Sequence, residues 1–262
     1  MKITKKLLAV ILSALILVAS LPVMAVSAAE VLTTDDGFEY TVGDDGKATI
    51  TGYTGETTEI VIPEAIDGAE VTAIGNGAFE NNAAITGVTF PATIVKINDD
   101  AFYGCTALKD VELPENITFL GSGAFGKTAI ESVEIPKSLD SGDYSYSSEK
   151  YILNGEEHEI GIGPFVLCEN LKTVTFETGV TQIAQYLFRG CTGLEEITIP
   201  DTVTVIENGA FSYCVNLKSI DVPDYVTKID AEAFANCLSL KDVELSKALT
   251  YLGESAFAFV PI

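Results

Sequence analysis

The chain has 262 residues, 15 basic against 38 acidic side chains, a formal charge of −23 at pH 7 and a hydrophobic content of 47%. So large an excess of carboxylates excludes sequence-independent binding to nucleic acid, which depends on Lys and Arg displacing counterions from phosphates, and disfavours attachment to anionic lipid headgroups. The apolar content, with 20% charged residues, excludes global disorder.

Residues 1–28 read as a secretory signal peptide. Lys2, Lys5 and Lys6 make a basic start, Leu7 to Val18 is apolar apart from Ser13, Pro22 breaks the run, and small residues lead up to a cleavage point near Ala28. An uncleaved anchor is the alternative, since Leu7 to Val26 reaches the roughly 20 residues that a span requires. No later segment is long and apolar enough, so no membrane span is expected after cleavage. Removal takes three Lys and no acid, leaving a secreted or surface-displayed chain of charge −26.

Residues 29–56 are predicted to cap the fold. Phe38 to Val42, a turn over Gly43 to Gly46, and Lys47 to Thr51 spell a β-hairpin. Its expected role is to cover the apolar face and unpaired strand edge of the first coil. Asp67-Gly68 marks a second turn.

Residues 57–262 are repetitive. Phe79, Phe102 and Phe125 lie 23 residues apart, and so do Phe165, Phe188, Phe211, Phe234 and Phe257. The gap from Phe125 to Phe165 is 40, one period plus an insertion of 17 net residues at about 138–163. The pattern gives eight repeats of one unit, clearest in Glu195 to Leu217, where Ile197 and Ile199 alternate with Thr198 as a short strand that Pro200 ends. Val203 and Ile206 point inward on the return side, and Ala210-Phe211 form a compact turn with Phe at the centre. One 23-residue unit cannot bury these side chains; stacked copies can. The predicted class is a solenoid, one coil per repeat, with a parallel β-sheet on one side and short turns or 3-10 segments on the other. A doubly wound α/β fold is excluded, because helices of 10–15 residues between strands are missing. At the last repeat the expected Leu would be residue 263, which predicts either a natural end stapled by Phe259 and Ile262 or a fragment of a longer protein.

Cys105, Cys168, Cys191, Cys214 and Cys237 each come three residues after the repeat Phe. They are expected to form one internal column of free thiols acting as small buried hydrophobes. A disulfide is the weaker reading, because parallel in-register side chains suit its torsion poorly. Metal binding is weaker still, since no Cys or His neighbours supply tetrahedral ligand spacing.

The register of I-P-x-x-V-T-x-I and A-F-x-x-C-x-x-L resembles the BspA-like leucine-rich repeats of bacterial surface proteins, from about Phe38 to the C-terminus. That resemblance implies a right-handed leucine-rich-repeat solenoid used for extracellular binding and adhesion, and names no ligand.

Two candidate binding surfaces stand out. Outward sheet positions form a column of Thr89, Glu112, Glu134, Thr175, Thr198, Asp221 and Glu244, flanked by a lysine-rich column and carrying no aromatic ring. A polar protein partner fits this face better than a sugar, which needs a ring to stack on; a plain solvated surface is the alternative. The insertion supplies Tyr144, Tyr146, Tyr151 and the single His158, and loops on a rigid scaffold often carry function, and a tolerated, structurally neutral insertion is the alternative. Lys150 to Leu153 and His158 to Ile162, around Asn154-Gly155, read as a hairpin.

No nucleophile, phosphate-loop or metalloprotease motif occurs, so no enzyme activity, metal or cofactor is expected. The leading function is a secreted or cell-surface module binding an extracellular protein or other surface ligand. The first alternative is an accessory scaffold or carbohydrate-binding module of an extracellular enzyme system; the second is an enzyme with its site at the insertion. The oligomeric state is not set by the sequence.

Overall fold

The computed structural model describes residues 30–139, 148–153, 156–161 and 163–261, with side chains outside 140–162. Met1–Glu30 separates as a unit distinct from Val31–Ile262, and the repeats belong to the second. Tyr144 and Tyr146 lie outside the described residues.

The repeats fold as a β-solenoid of eight coils, numbered here by their central residues from Phe79 (coil 1) to Phe257 (coil 8). Seven of the eight coils begin with a short strand segment whose inward residue packs on its neighbour. Glu59–Val61, Gly87–Thr89, Asp110–Val111, Ser132–Ile135 and Thr173–Phe176 pair in parallel to form a broad five-stranded sheet. Ser219–Asp221 and Asp242–Glu244 pair as a separate two-stranded sheet. Between them, Ile197 to Ile199 do not form a strand. The copy that looks clearest in sequence is therefore where the broad sheet breaks. Alternating β-branched residues license a strand, but a strand also requires a neighbour in register to pair with.

The return side is not only turns. Inward Ile and Leu residues make a second, narrow parallel ladder of two-residue strands, with Ile74 opposite Ile97, Ile97 opposite Leu120, Ile183 opposite Ile206, Ile206 opposite Ile229 and Ile229 opposite Leu252. No helix occurs among the described residues; the A-F segments are turns. Their backbone donors divide between two tasks. Phe102 N–H donates to Ala124 of the next coil at 2.8 Å, and Cys105 N–H donates back to Phe102 at 3.1 Å. This closes the coil and ties it to its neighbour, so few backbone groups are left unpaired.

In every turn but that of Phe165 the residues two before and two after the Phe occupy the left-handed backbone region, and in that turn Leu167 does. Glycine takes several of these places, as at Gly104 and Gly209, but Asn81, Asp100, Lys127, Leu167, Tyr186, Tyr213, Glu232, Asn236, Ser255 and Phe259 also do so, with φ of 53° to 62°. Each such non-glycine residue costs about 1 kcal/mol, recovered through the hydrogen bonds of the turn.

The core is a spine of phenylalanines. Rings from Phe79 to Phe257 stack nearly parallel, with centroids 4.8 Å apart at Phe79–Phe102 and 5.1 Å at Phe234–Phe257. Phe102, Phe125, Phe165, Phe188, Phe211 and Phe234 are fully buried. At the N-terminal side, Phe38–Val42 and Ala48–Tyr53 form an antiparallel hairpin, and Leu32–Thr33 adds a third strand. Its inner strand joins the narrow ladder, placing Ile50 opposite Ile74. Tyr53 lies 5.8 Å from Phe79 and Phe38 lies 5.0 Å from Tyr53, so the aromatic spine continues into the hairpin.

The insertion forms a second antiparallel hairpin, Ser148–Leu153 with Glu156–Gly161, at the place where coil 4 would add to the narrow ladder. The seam between coils 4 and 5 is accordingly different from the others. Among the described residues the narrow ladder is absent there, no turn-to-turn backbone hydrogen bond joins Phe165 and Leu167 to coil 5, and Phe165–Phe188 has a wide ring separation of 6.2 Å. The broad sheet crosses this seam intact, through four paired positions from Ser132–Thr173 to Ile135–Phe176.

Candidate binding surfaces

Outward positions of the broad sheet stand in register from coil to coil, because parallel pairing places equivalent residues side by side. Glu134 is opposite Thr175, and Asp221 is opposite Glu244. Thr89, Glu112, Glu134, Thr175, Thr198, Asp221 and Glu244 are all exposed. Thr198 sits on the segment that does not pair, so it shares the face without sharing the ladder.

Charges along this side divide into paired and unpaired sets. Lys137 bonds Glu177, Lys218 bonds Glu195, and Lys247 bonds Asp224 at 3.0 Å, each lysine reaching an acid of the neighbouring coil. Those hydrogen bonds hold the Glu177, Glu195 and Asp224 carboxyls below their ordinary range. Glu112, Glu134, Asp221 and Glu244 make no ion pair or hydrogen bond among the described residues. A depression of about 510 Å³ opens over coils 3 to 5, lined by Glu112, Glu115, Glu134, Glu177, Thr173 and Thr175 over an apolar floor that includes Leu113. A second, of about 460 Å³, lies over coils 6 to 8 beside Asp201, Asp221, Tyr225 and Glu244.

The hairpin of the insertion places Tyr151 opposite His158 in its backbone register. The side chains of Tyr151 and His158 lie outside the described ones.

The cysteines lie inside. All five are free and fully buried. Each thiol donates to the backbone carbonyl of a Phe one coil earlier: Cys105 to Phe79, Cys168 to Phe125, Cys191 to Phe165, Cys214 to Phe188 and Cys237 to Phe211, all at 3.1–3.2 Å. In coil 3 Thr128 takes the same position, donates to Phe125 at 2.9 Å and lies 3.3 Å from the Cys168 sulfur. Burial pushes the thiols up, to about 11 for Cys168, to about 12 for Cys105 and Cys237, and well above 9.0 for Cys191 and Cys214. Thiols so held are poor nucleophiles and poor metal ligands. No group of three or more His, Cys, Asp or Glu able to hold a metal occurs among the described residues.

One cluster on the turn face is not foreseen by the repeat pattern. Arg189, the sole arginine, is buried between the rings of Tyr186 at 5.0 Å and Tyr213 at 5.5 Å and points to Glu232, 3.6 Å away and two coils on. Gly209 makes this crossing possible: a Cβ there would run into the Tyr186 ring. Arg189 Nε, Asn208 Oδ1 and Ser212 Oγ are buried without a hydrogen-bond partner among the described residues. The sequence signal is a single Arg one residue after a repeat Phe, next to a glycine in the following turn.

The sequence matches the BspA type leucine rich repeat region in six copies, over residues 56–156 and 158–262. The chain belongs to this family. Among solved structures, the BspA-type chain resembles a leucine-rich repeat protein from Bacteroides ovatus, 17% identical with a TM-score of 0.53, over 86% of this chain and 79% of that one. It also resembles a T. pallidum leucine rich repeat protein, 23% identical with a TM-score of 0.51, over 84% of this chain and 85% of that one. A leucine rich cell surface protein from Faecalibacterium prausnitzii is 25% identical over 90% of this chain and 81% of that one, with a TM-score of 0.39. No curated protein matches. The first two likenesses bear on the fold, and no helix among the described residues is long and apolar enough to cross a membrane.

Proposed function

We propose that this BspA-type solenoid is a secreted or surface-displayed module that binds an extracellular protein or other surface ligand, with adhesion as its role. The observation that carries the reading is the column of unpaired carboxylates Glu112 and Glu134 beside Thr175, held on a rigid ladder around a depression of about 510 Å³. A repeat scaffold orders such side chains before any partner arrives, so little is lost in ordering them on contact. The basic start and apolar run of residues 1–28 support export.

The insertion is the second contact surface under this proposal, with Tyr144, Tyr146, Tyr151 and His158 as its contact residues. It rests on the hairpin standing out of the repeat pattern at coil 4.

The test is capture of matrix proteins and microbial glycans by the immobilised chain. Three versions are compared: native, Glu112→Gln with Glu134→Gln, and a chain lacking 140–161. The sheet reading expects the double variant to weaken protein capture about tenfold at unchanged melting temperature. Equal capture by native and double variant overturns it. Equal capture by the deletion variant removes the insertion from the binding surface. Capture of glycans alone overturns the protein-binding reading in favour of an accessory carbohydrate-binding module.

A further inference from the structure

Apart from the acidic column, coil 7 exposes an aromatic side chain on its flank. Tyr225 lies two residues after Pro223 in coil 7 and is 65% exposed. Equivalent positions in other coils are Thr93, Asn116, Ser138, Thr202 and Ala248, none of them aromatic. Tyr225 lines the depression of about 460 Å³ together with Pro223 and Leu245, which supply apolar surface, and with Asp201, Asp221 and Glu244 at its rim. Those three carboxylates have no ion pair or hydrogen bond among the described residues. The lysine present, Lys247, is occupied by Asp224. An exposed ring with an apolar floor and a rim of uncompensated negative charge has a defined complement. It fits a cationic side chain stacked over the Tyr225 ring, next to an aliphatic one against Pro223 and Leu245.

We infer that the depression around Tyr225 docks an extended protein segment carrying Lys or Arg alternating with aliphatic residues. This rests on the protein-binding reading above and adds the chemistry of the partner. The ring gives such a segment a rigid anchor that loses little entropy on contact. The carboxylates draw it in from a distance and reject acidic competitors. The site differs from the depression over coils 3 to 5, where no aromatic residue lines the opening.

The decisive measurement is titration of the native chain with two synthetic peptides of equal charge at physiological salt. One alternates Lys and Leu, and the other alternates Lys and Ser. The proposal expects the Lys-Leu peptide to bind at least about fivefold tighter. Tyr225→Ala should remove most of that difference, and Asp221→Asn with Glu244→Gln should weaken Lys-Leu binding about tenfold. Neutralising a distant exposed pair, Asp35→Asn with Glu56→Gln, should change it less than about twofold, which separates a local site from attraction to the acidic chain as a whole. Equal binding of the two peptides, or Tyr225→Ala binding as the native chain does, overturns the site. Loss of partner capture by Glu112→Gln with Glu134→Gln, while Tyr225→Ala captures normally, overturns this docking site and leaves protein binding standing. Normal capture by both sets of variants overturns both.

Discussion

Cys214 donates its thiol proton to the backbone carbonyl of Phe188 one coil earlier, at 3.2 Å, and that same carbonyl accepts the N–H of Cys191 at 3.1 Å. One oxygen thus closes its own turn and fastens the next. The thiol-to-carbonyl bond recurs at every Cys placed three residues after a repeat Phe, and it gives the buried thiols a structural duty that depends on their staying protonated.

That dependence predicts alkaline lability. Burial raises the thiol pKa values in the folded chain, to about 12 for Cys105 and Cys237, so the unfolded chain loses protons first as pH rises. The thiol contribution is therefore fully present below about pH 9 and is lost as pH climbs through the folded values, at up to about 1.4 kcal/mol per pH unit for each thiol. Urea denaturation between about pH 7 and 11 should show a plateau up to about pH 8.5 and a decline above it. Replacing Cys105 and Cys237 by Thr should reduce that slope; an unchanged slope would show that other groups control it.

Thiol reactivity should report unfolding. With all five sulfurs buried, a water-soluble thiol reagent should label none of them quickly in the native chain and all of them in denaturant. Fast labelling of every thiol without denaturant contradicts the column.

The aromatic spine predicts a graded cost. Phe211→Ala in the middle of the stack, between Phe188 at 5.5 Å and Phe234 at 5.3 Å, should destabilise by about 3–5 kcal/mol. Phe90, which meets the edge of Phe102 and is only half-buried, should cost less on the same change. Chemical denaturation of the two variants measures the difference.

Backbone conformation predicts changes of opposite sign in the turns. Ser255 is exposed at φ 58°, and Ser255→Gly should stabilise by up to about 1 kcal/mol. Gly209 has φ 58° and faces the Tyr186 ring, so Gly209→Ala should destabilise through backbone strain and by displacing Tyr186 and Arg189. Thermal melts of the two variants should move in opposite directions.

Much of this architecture was legible because a solenoid repeats its constraints. The recurrence of Phe every 23 residues, the shared Cys position and the turn residues of Gly43 to Gly46 each read the same in sequence and structure. What escaped were effects that depend on neighbouring coils. Ile197 and Ile199 carry the strand pattern in full, yet strand formation also needs a partner in register. The narrow ladder was hidden because two residues are too few to show a period of two. Arg189 was hidden because its partners Tyr186, Tyr213 and Glu232 come from three different coils. The column from Glu112 to Glu244 could be placed from alternation alone, since a residue between two buried ones must face outward. Which of its acids lack a lysine depended on side-chain reach.

The seam between coils 4 and 5 also has a mechanical meaning. Among the described residues every other junction has the turns or the narrow ladder to share a load, whereas here tension along the axis falls on the strands Ser132–Ile135 and Thr173–Phe176, the Lys137–Glu177 pair and the Cys191 thiol. The depression of about 510 Å³ straddles those two strands, with Glu134 on one lip and Thr175 on the other. A ligand seated in it would splint this joint, so that occupancy makes the array harder to pull apart there.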